Sequence, residues 1–300
     1  MVKKIVVIGS SNTDMVIKAD RLPVPGETII GHQFMMNPGG KGANQAVAVA
    51  RMGGKVSFIT KTGNDLFGRQ SIELYKSEDI GTEHVFSDSD HPSGVALISV
   101  DANGENCILV APGANAYLTV KDIEKSREEI EKADILLMQL EIPMETVEYA
   151  AEIAALNQVK VVLNPAPAQT LPNELLKRLY VITPNKNEAE ILSGVRVTDW
   201  ESARKAADRI SEKGVEVVVI TLGSLGALIK DGNQYHEVEA ESVAAMDTTA
   251  AGDTFCGTLC VGLSEGRDIV EAVKLACKAS AITVTRMGAQ AAIPYRREIV

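Results

Sequence analysis

The chain has 300 residues, 45% of them hydrophobic but only 4% aromatic, with a formal net charge of −10 and a pI near 5.0. That length suits one large α/β unit with a small appendage, and the acidic balance disfavours nucleic acid and anionic membranes as partners. Nucleotide binding is not excluded, because a phosphate site is built locally from backbone amides and a few cations.

With so few aromatics, packing falls to Val, Ile, Leu and Ala, which suits buried parallel strands under Ala-rich helices. Of the four cysteines, Cys107, Cys256, Cys260 and Cys277, the i,i+4 pair Cys256/Cys260 lies in an apolar run with no His nearby. It reads as two small buried hydrophobes in a reducing compartment, not a metal site. The apolar run after Met1-Val-Lys-Lys is broken at Gly9, too soon for a signal peptide. No run reaches the ~18 apolar residues of a spanning helix. The chain therefore reads as cytoplasmic.

In chain order, Lys4–Gly9 is a buried strand closed by Gly. Residues 15–37, with Pro23, Pro25, Gly26, Gly31 and β-prone Thr28-Ile-Ile30, predict a small irregular sheet excursion. A helix follows Gly39-Gly40 and runs through Ala43–Ala50, then a strand at 56–59 and a helix at 67–77. Val95–Val100 and Asn106–Val110 flank Asn103-Gly104, a hairpin signal. The two insertions, 15–37 and 93–110, are each too small alone and predict one separate sheet together. Strands at 135–139, 159–163, 180–183 and 215–220 alternate with helices near 144–156, 186–193 and 199–213. Two helices follow residue 252. This rhythm predicts a three-layer α/β/α core of mostly parallel strands, built from 1–14, 38–92 and 111–300.

Six segments could carry chemistry. In Asp247-Thr-Thr-Ala-Ala-Gly-Asp253, small residues precede a predicted helix start, where unpaired amides and the helix dipole favour an anion. There Asp253 reads either as an N-cap or as a base taking a proton from a hydroxyl. Thr221-Leu-Gly-Ser-Leu-Gly226 follows a strand and could wrap a nucleotide or be an ordinary βα turn. Neither a Walker loop nor a Gly-x-Gly-x-x-Gly after the first strand is present. Gly39-Gly-Lys-Gly-Ala-Asn-Gln45 offers backbone approach with Lys41 and Asn44 as donors, or a tight turn. Ser11-Asn-Thr-Asp14 suits polyol recognition or a turn. Thr183-Pro-Asn185-Lys-Asn-Glu188 reads as a capping box or as an organiser of Mg²⁺ near phosphates. Thr285-Arg-Met-Gly288-Ala-Gln290 with Asp247 could frame a cation site of carbonyl oxygens.

In their joint order these segments, with Pro25-Gly-Glu-Thr28, Pro112-Gly-Ala-Asn115, Met138-Gln-Leu-Glu141 and Asn164-Pro-Ala-Pro167, resemble the phosphofructokinase-B-type carbohydrate kinases over almost the whole chain. The Gly39–Gln45 and Asn164–Pro167 strings resemble its ribose-phosphorylating members. The resemblance implies transfer of phosphate from ATP to the ribose 5-hydroxyl, with Asp253 as base. The amides of Ala250, Ala251, Gly252 and Asp253 would form an anion hole. Asn12, Asp14, Gly40, Lys41, Asn44, Glu141 and Asp253 would hold the sugar. Asn185, Thr221, Leu222, Gly223, Ser224, Leu225, Gly226, Gly252 and Cys277 would hold ATP. Glu188 would help place Mg²⁺. Asp247, Thr249, Thr283, Arg286, Gly288 and Ala292 would surround K⁺, largely through carbonyls. Ala292 stands where related chains often have Ser, which leaves only a carbonyl there. The two insertions would be a β lid that also pairs two copies into a homodimer.

Three other readings compete: a family kinase acting on fructose, a deoxyribose or a nucleoside; a catalytically dead sugar-binding or regulatory protein; and a nicotinamide dehydrogenase. The presence of Asp253 opposes the second, and the missing Gly-x-Gly-x-x-Gly opposes the third.

Overall fold

The continuous apolar runs become the centre of a large sheet, because a strand covered on both faces needs apolar residues at every position. The computed structural model describes residues 3–299; Met1, Val2 and Val300, the outermost ends of the expected core segments, lie outside the described residues. The first half contains β1 (Lys4–Ile8), β2 (Asn12–Lys18), β3 (Gln33–Gly39), α1 (Lys41–Arg51), β4 (Lys55–Gly63), α2 (Leu66–Ser77), β5 (Val85–Asp88), β6 (Gly94–Val100), β7 (Asn106–Ala111), α3 (Val120–Lys125) and α4 (Arg127–Glu131). The second half contains β8 (Ile135–Met138), α5 (Met144–Leu156), β9 (Lys160–Leu163), α6 (Asn173–Leu176), β10 (Val181–Ile182), α7 (Lys186–Ser193), α8 (Trp200–Ser211), β11 (Val217–Thr221), β12 (Ala227–Asp231), β13 (Gln234–Val238), α9 (Ala251–Ser264) and α10 (Ile269–Thr283).

The large sheet has nine strands in the order β13-β12-β11-β10-β9-β8-β1-β4-β5. Seven are parallel, and β12 and β13 add an antiparallel edge. Strand alternation divides the core in two. Val6, Ile8, Leu136, Met138, Val161, Leu163, Val218 and Ile220 face α3 to α8. Ile5, Val7, Phe58, Ile135, Leu137, Val162, Val217 and Val219 face α1, α2, α9 and α10. This is the expected three-layer α/β/α arrangement.

The separate small sheet has the order β3-β2-β6-β7. Both insertions contribute to it as expected, with β2 and β3 antiparallel, β6 and β7 antiparallel, and β2 beside β6 in parallel. Thr28–Ile30 is not a strand: it follows a turn at Pro25–Gly26, and Ile30 is 95% exposed. The paired strands lie on either side of it. The β12–β13 hairpin went unread in the sequence. Among the described residues no helix is long and apolar enough to cross a membrane.

The chain runs from β1 to β4 on one side and returns to β8 on the other side of β1. Such a switch point opens a crevice at the carboxyl ends of the strands. The loops after β1, β8, β9, β10 and β11 all end there.

Candidate active site

The helix start after Asp247 has an unusual entry. Ala250 occupies the N-cap position of α9 in the left-handed region, with φ 60° and ψ 6°, and no side chain caps the helix. Asp253 is therefore inside the first turn, and its carboxylate does not serve as a cap. It is 6% exposed and points across the molecule to α1, where Oδ2 accepts from Asn44 Nδ2 at 2.9 Å and Oδ1 accepts from Gln45 Nε2 at 3.0 Å. The amides of Ala250, Gly252 and Asp253 find no acceptor among the described residues, whereas Ala251 donates to the Thr248 carbonyl at 3.3 Å. A dipole-bearing helix end with three free N–H groups is suited to an anion. A Cβ added at Gly252 would meet nothing within 4 Å, so that residue opens onto free space.

A cavity of about 370 Å³ lies between this helix start and the inner face of the small sheet. Its wall brings together all of the expected sugar residues: Asn12, Asp14, Gly40, Lys41, Asn44, Glu141 and Asp253. Gly40, at φ 87°, turns the chain from β3 into α1; a side chain there would press on the backbone of Ser11 and Asn12. Asn12 Oδ1 accepts from Asn115 Nδ2 at 2.7 Å, which leaves its own amide hydrogens as donors for a ligand. Asn44 Oδ1 is buried with no partner, an acceptor that a hydroxyl would satisfy. Glu141 Oε2 accepts from Ser10 Oγ at 2.5 Å and from the Lys41 amide at 3.1 Å, leaving Oε1 free.

Four carboxylates, of Asp14, Glu141, Glu188 and Asp253, and one ammonium, of Lys41, share this space. Burial pushes Asp14 up to about 6, Glu141 and Asp253 add to the rise, and Lys41 opposes it. Burial pulls Lys41 down, but the charges of Asp253, Glu141 and Glu188 more than offset it and the net shift is upward. The Lys41 ammonium makes no side-chain hydrogen bond among the described residues. It is a held positive charge inside the cavity.

A second cavity of about 480 Å³ adjoins the first and shares Thr221, Thr248, Gly252 and Phe255 with it. Gly223, Ser224, Gly226 and Cys277 line it, together with the apolar Val243, Ala245, Ala281 and Val284. The Thr221–Gly226 loop joins two antiparallel strands and is not a βα turn. Gly226 is required there: at φ 109° any Cβ would lie 1.9 Å from the Val238 carbonyl. Leu222 is buried in the hydrophobic core and Leu225 is partly exposed; neither lines a cavity.

Asn185 caps α7 in a full capping box: its Oδ1 accepts from the Glu188 amide, and Glu188 accepts from the Asn185 backbone and side chain at 2.8 Å each. Both residues still line the first cavity. Burial raises the Glu188 carboxyl, an effect that the Asn185 amide and Lys41 oppose. The structural and ligand-facing readings of this segment therefore coexist.

Behind the helix start, Asp247 Oδ1 accepts from Thr249 N at 2.9 Å and Oδ2 from Gly288 N at 2.9 Å, and the Asp247 amide reaches the Val284 carbonyl at 3.2 Å. Asp247, Thr249 and Gly288 are thus gathered at one place. The Thr283 hydroxyl instead bonds to Thr254 Oγ1 and the Ala279 carbonyl, and the Arg286 side chain pairs with Glu298. Ala292 is buried. Asp247 ties the loop before α9 to the turn at Gly288 through both of its carboxylate oxygens. No group of three or more His, Cys, Asp or Glu suited to a metal occurs among the described residues. Cys256 and Cys260 are both buried, as expected, and both are free thiols.

Gln45, Asn115, Gln139 and Asn164 had no assigned role in the sequence, although each lies in one of the quoted motifs. All four are buried polar side chains that connect the site residues to one another. For Gln139 and Asn164 the signal was an amide directly after an apolar strand, and for Gln45 an amide within the Ala-rich stretch of α1; a buried amide must find partners.

A family model for the pfkB family carbohydrate kinases matches residues 2–296. The ribokinase of Haemophilus influenzae is 46% identical over 298 residues, covering 99% of this chain and 97% of that protein. The deoxyribokinase of Salmonella typhi is 38% identical over 291 residues, covering 97% and 95%. A solved structure of Arabidopsis thaliana ribokinase complexed with ribose and ATP matches at a TM-score of 0.92 and 29% identity, covering 100% of this chain and 98% of that one. The fold, the cavity at the switch point and these similarities agree: the chain belongs to the pfkB family of carbohydrate kinases and is a sugar kinase.

Proposed function

We propose that this sugar kinase transfers the γ-phosphoryl group of ATP to the 5-hydroxyl of D-ribose. The observation that carries the reading is Asp253: a buried carboxylate on the wall of the first cavity, held by two amides, beside three unpaired helix N–H groups and next in sequence to Gly252, which lines both cavities. Asn12, Asp14, Gly40, Lys41, Asn44 and Glu141 hold the sugar hydroxyls, and Asp253 takes the proton of the attacking one. The amides of Ala250, Gly252 and Asp253, with a share from Ala251, receive the negative oxygens of the transferring group. Positioning and charge stabilisation do most of the work in such transfers. The nucleotide lies in the second cavity, between the Thr221–Gly226 loop and Cys277, with adenine against Val243, Ala281 and Val284. Asn185 reaches its phosphates.

The donor sets fit two cations. Glu188, a carboxylate on the cavity wall, suits Mg²⁺ held through water near the phosphates. Asp247, with carbonyls of Thr249, Thr283, Arg286, Gly288 and Ala292, suits K⁺. Bound there, the two ions supply fixed positive charge near the phosphates and behind the helix start.

The small sheet acts as a lid that excludes water from the cavity. Its outer face carries Met15, Met36, Leu97 and Leu109 in one cross-strand row, with Leu97 51% and Leu109 70% exposed. That row supports pairing with the same face of a second copy.

A coupled ADP-release assay over a panel of sugars, with and without K⁺, tests the reading. The highest kcat/KM is expected with ribose. A higher value with 2-deoxyribose, the substrate class of one relative, would replace the substrate assignment, and no sugar-dependent ADP release would sink the whole proposal.

A further inference from the structure

The two amides on Asp253 stand in different places. Asn44 lines the cavity, whereas Gln45 is fully buried behind the carboxylate. Gln45 Nε2 donates both to Asp253 Oδ1 and, at 3.1 Å, to Asn164 Oδ1. Gln45 Oε1 accepts from Gln139 Nε2 at 2.6 Å. Gln139 is also fully buried, and its Oε1 has no partner. A Cβ at Gly9 would stand 1.9 Å from that oxygen, so the glycine is what admits the side chain.

The direction of this chain is determined from both ends. An ionised carboxylate only accepts, so Gln45 turns its amino group to Asp253 and its carbonyl to Gln139. At the other end, the Thr183 carbonyl takes Asn164 Nδ2 at 3.3 Å, which leaves Asn164 Oδ1 for Gln45. Both constraints give the same orientation, and flipping Gln45 would break three bonds. The ends of β8 and β9 thereby grip a side chain of α1, and that side chain grips α9.

We infer that Gln45, oriented from behind by Gln139, is a positioning residue for phosphoryl transfer: it fixes Asp253 Oδ1 so that the free lone pairs of the carboxylate face the sugar. This rests on Asp253 being the base. Without Gln45 the carboxylate turns toward Lys41, whose charge already acts on it.

Gln45→Glu keeps the shape, removes the donor and sets a second carboxylate beside Asp253. Its single-turnover transfer rate is expected to fall about ten- to a hundredfold, with ribose KM changed less than about threefold. The acidic limb of that rate is expected to move up by about one pH unit or more. The charged and titratable groups around Asp253 are Asp14 on β2, Lys41 on α1, Glu141 after β8, Glu188 on α7 and Cys256 on its own helix, and none is altered. Gln139→Leu carries the test if Gln45→Glu does not fold; it frees the Gln45 carbonyl and is expected to slow transfer about three- to tenfold. A wild-type rate and an unmoved limb in a folded variant would overturn the inference, as would a lowered Tm with no change in the limb. Asp253→Asn separates the two levels. If that variant turns over normally, the base assignment fails; if it is inactive while Gln45→Glu and Gln139→Leu behave as wild type, only the positioning fails.

Discussion

Asp14→Asn is expected to make the protein more stable while weakening its grip on sugar. The carboxyl sits against Gly39, where an added Cβ would lie 2.3 Å from Oδ2, and it shares the cavity with Glu141 and Asp253. Burial and those two charges raise it from 3.8 to about 6. A raised carboxyl binds its proton more tightly in the native state than in the unfolded chain. Stability therefore falls as pH rises between these values, and the cost is fully present above pH 6–7. At about 1.36 kcal/mol per pH unit, the ionised group costs the native state at most ~3 kcal/mol. For a chain of this size the unfolding entropy is roughly 0.6 kcal/mol per degree, so the gain in Tm is at most about 5 °C. Thermal denaturation at several pH values reads this directly. At pH 7.5 the Asn variant should melt about 3–5 °C higher, and the difference should close below about pH 4, where both states are protonated. In the same variant ribose KM should rise about tenfold or more, since a charged acceptor is lost. An unchanged or lower Tm at pH 7.5, or a difference independent of pH, would refute the account of this carboxyl.

Gly252→Ala adds a methyl that touches no protein atom and improves helix propensity by about 1 kcal/mol. Tm should hold or rise, yet the methyl enters the seam between the cavities, and kcat/KM for ATP should drop at least about tenfold; unchanged kinetics would move the phosphoryl path elsewhere. Glu188→Gln removes a charge from the cavity wall and keeps one acceptor for the α7 cap, so the Mg²⁺ needed for half-maximal rate should rise about tenfold; an unchanged Mg²⁺ titration would remove Glu188 from that role. Leu109→Lys places a charge at the β7 end of the exposed row, on its most exposed leucine, and light scattering should then report a mass of one chain. A persistent dimer would show that another surface pairs the copies.

The architecture was legible where one physical cause dominated. Apolar runs such as Ile5–Ile8 and Val217–Ile220 are short and wholly β-branched, which favours strands covered on both faces, and Asn103-Gly104 gave the hairpin that became β6 and β7. The β12–β13 hairpin was hidden because residues 227–238 mix core and exposed positions without a strict alternation. Thr28–Ile30 misled because β-propensity is a preference for a half-buried pleated surface, and that stretch has none to join. The role of Asp253 was undecidable locally. Its exclusion as a cap comes from the left-handed Ala250, and its holding amides come from residues 208 and 209 positions earlier. No local pattern announces a contact of that separation.

Whether Asp253 accepts the proton is decided by the rate of sugar-dependent ADP release in Asp253→Asn, with ribose binding measured calorimetrically beside it. The expected result is a fall in kcat of about a hundredfold or more, in keeping with loss of a general base, with the fold and ribose affinity retained. Turnover near the wild-type rate in that variant would contradict it.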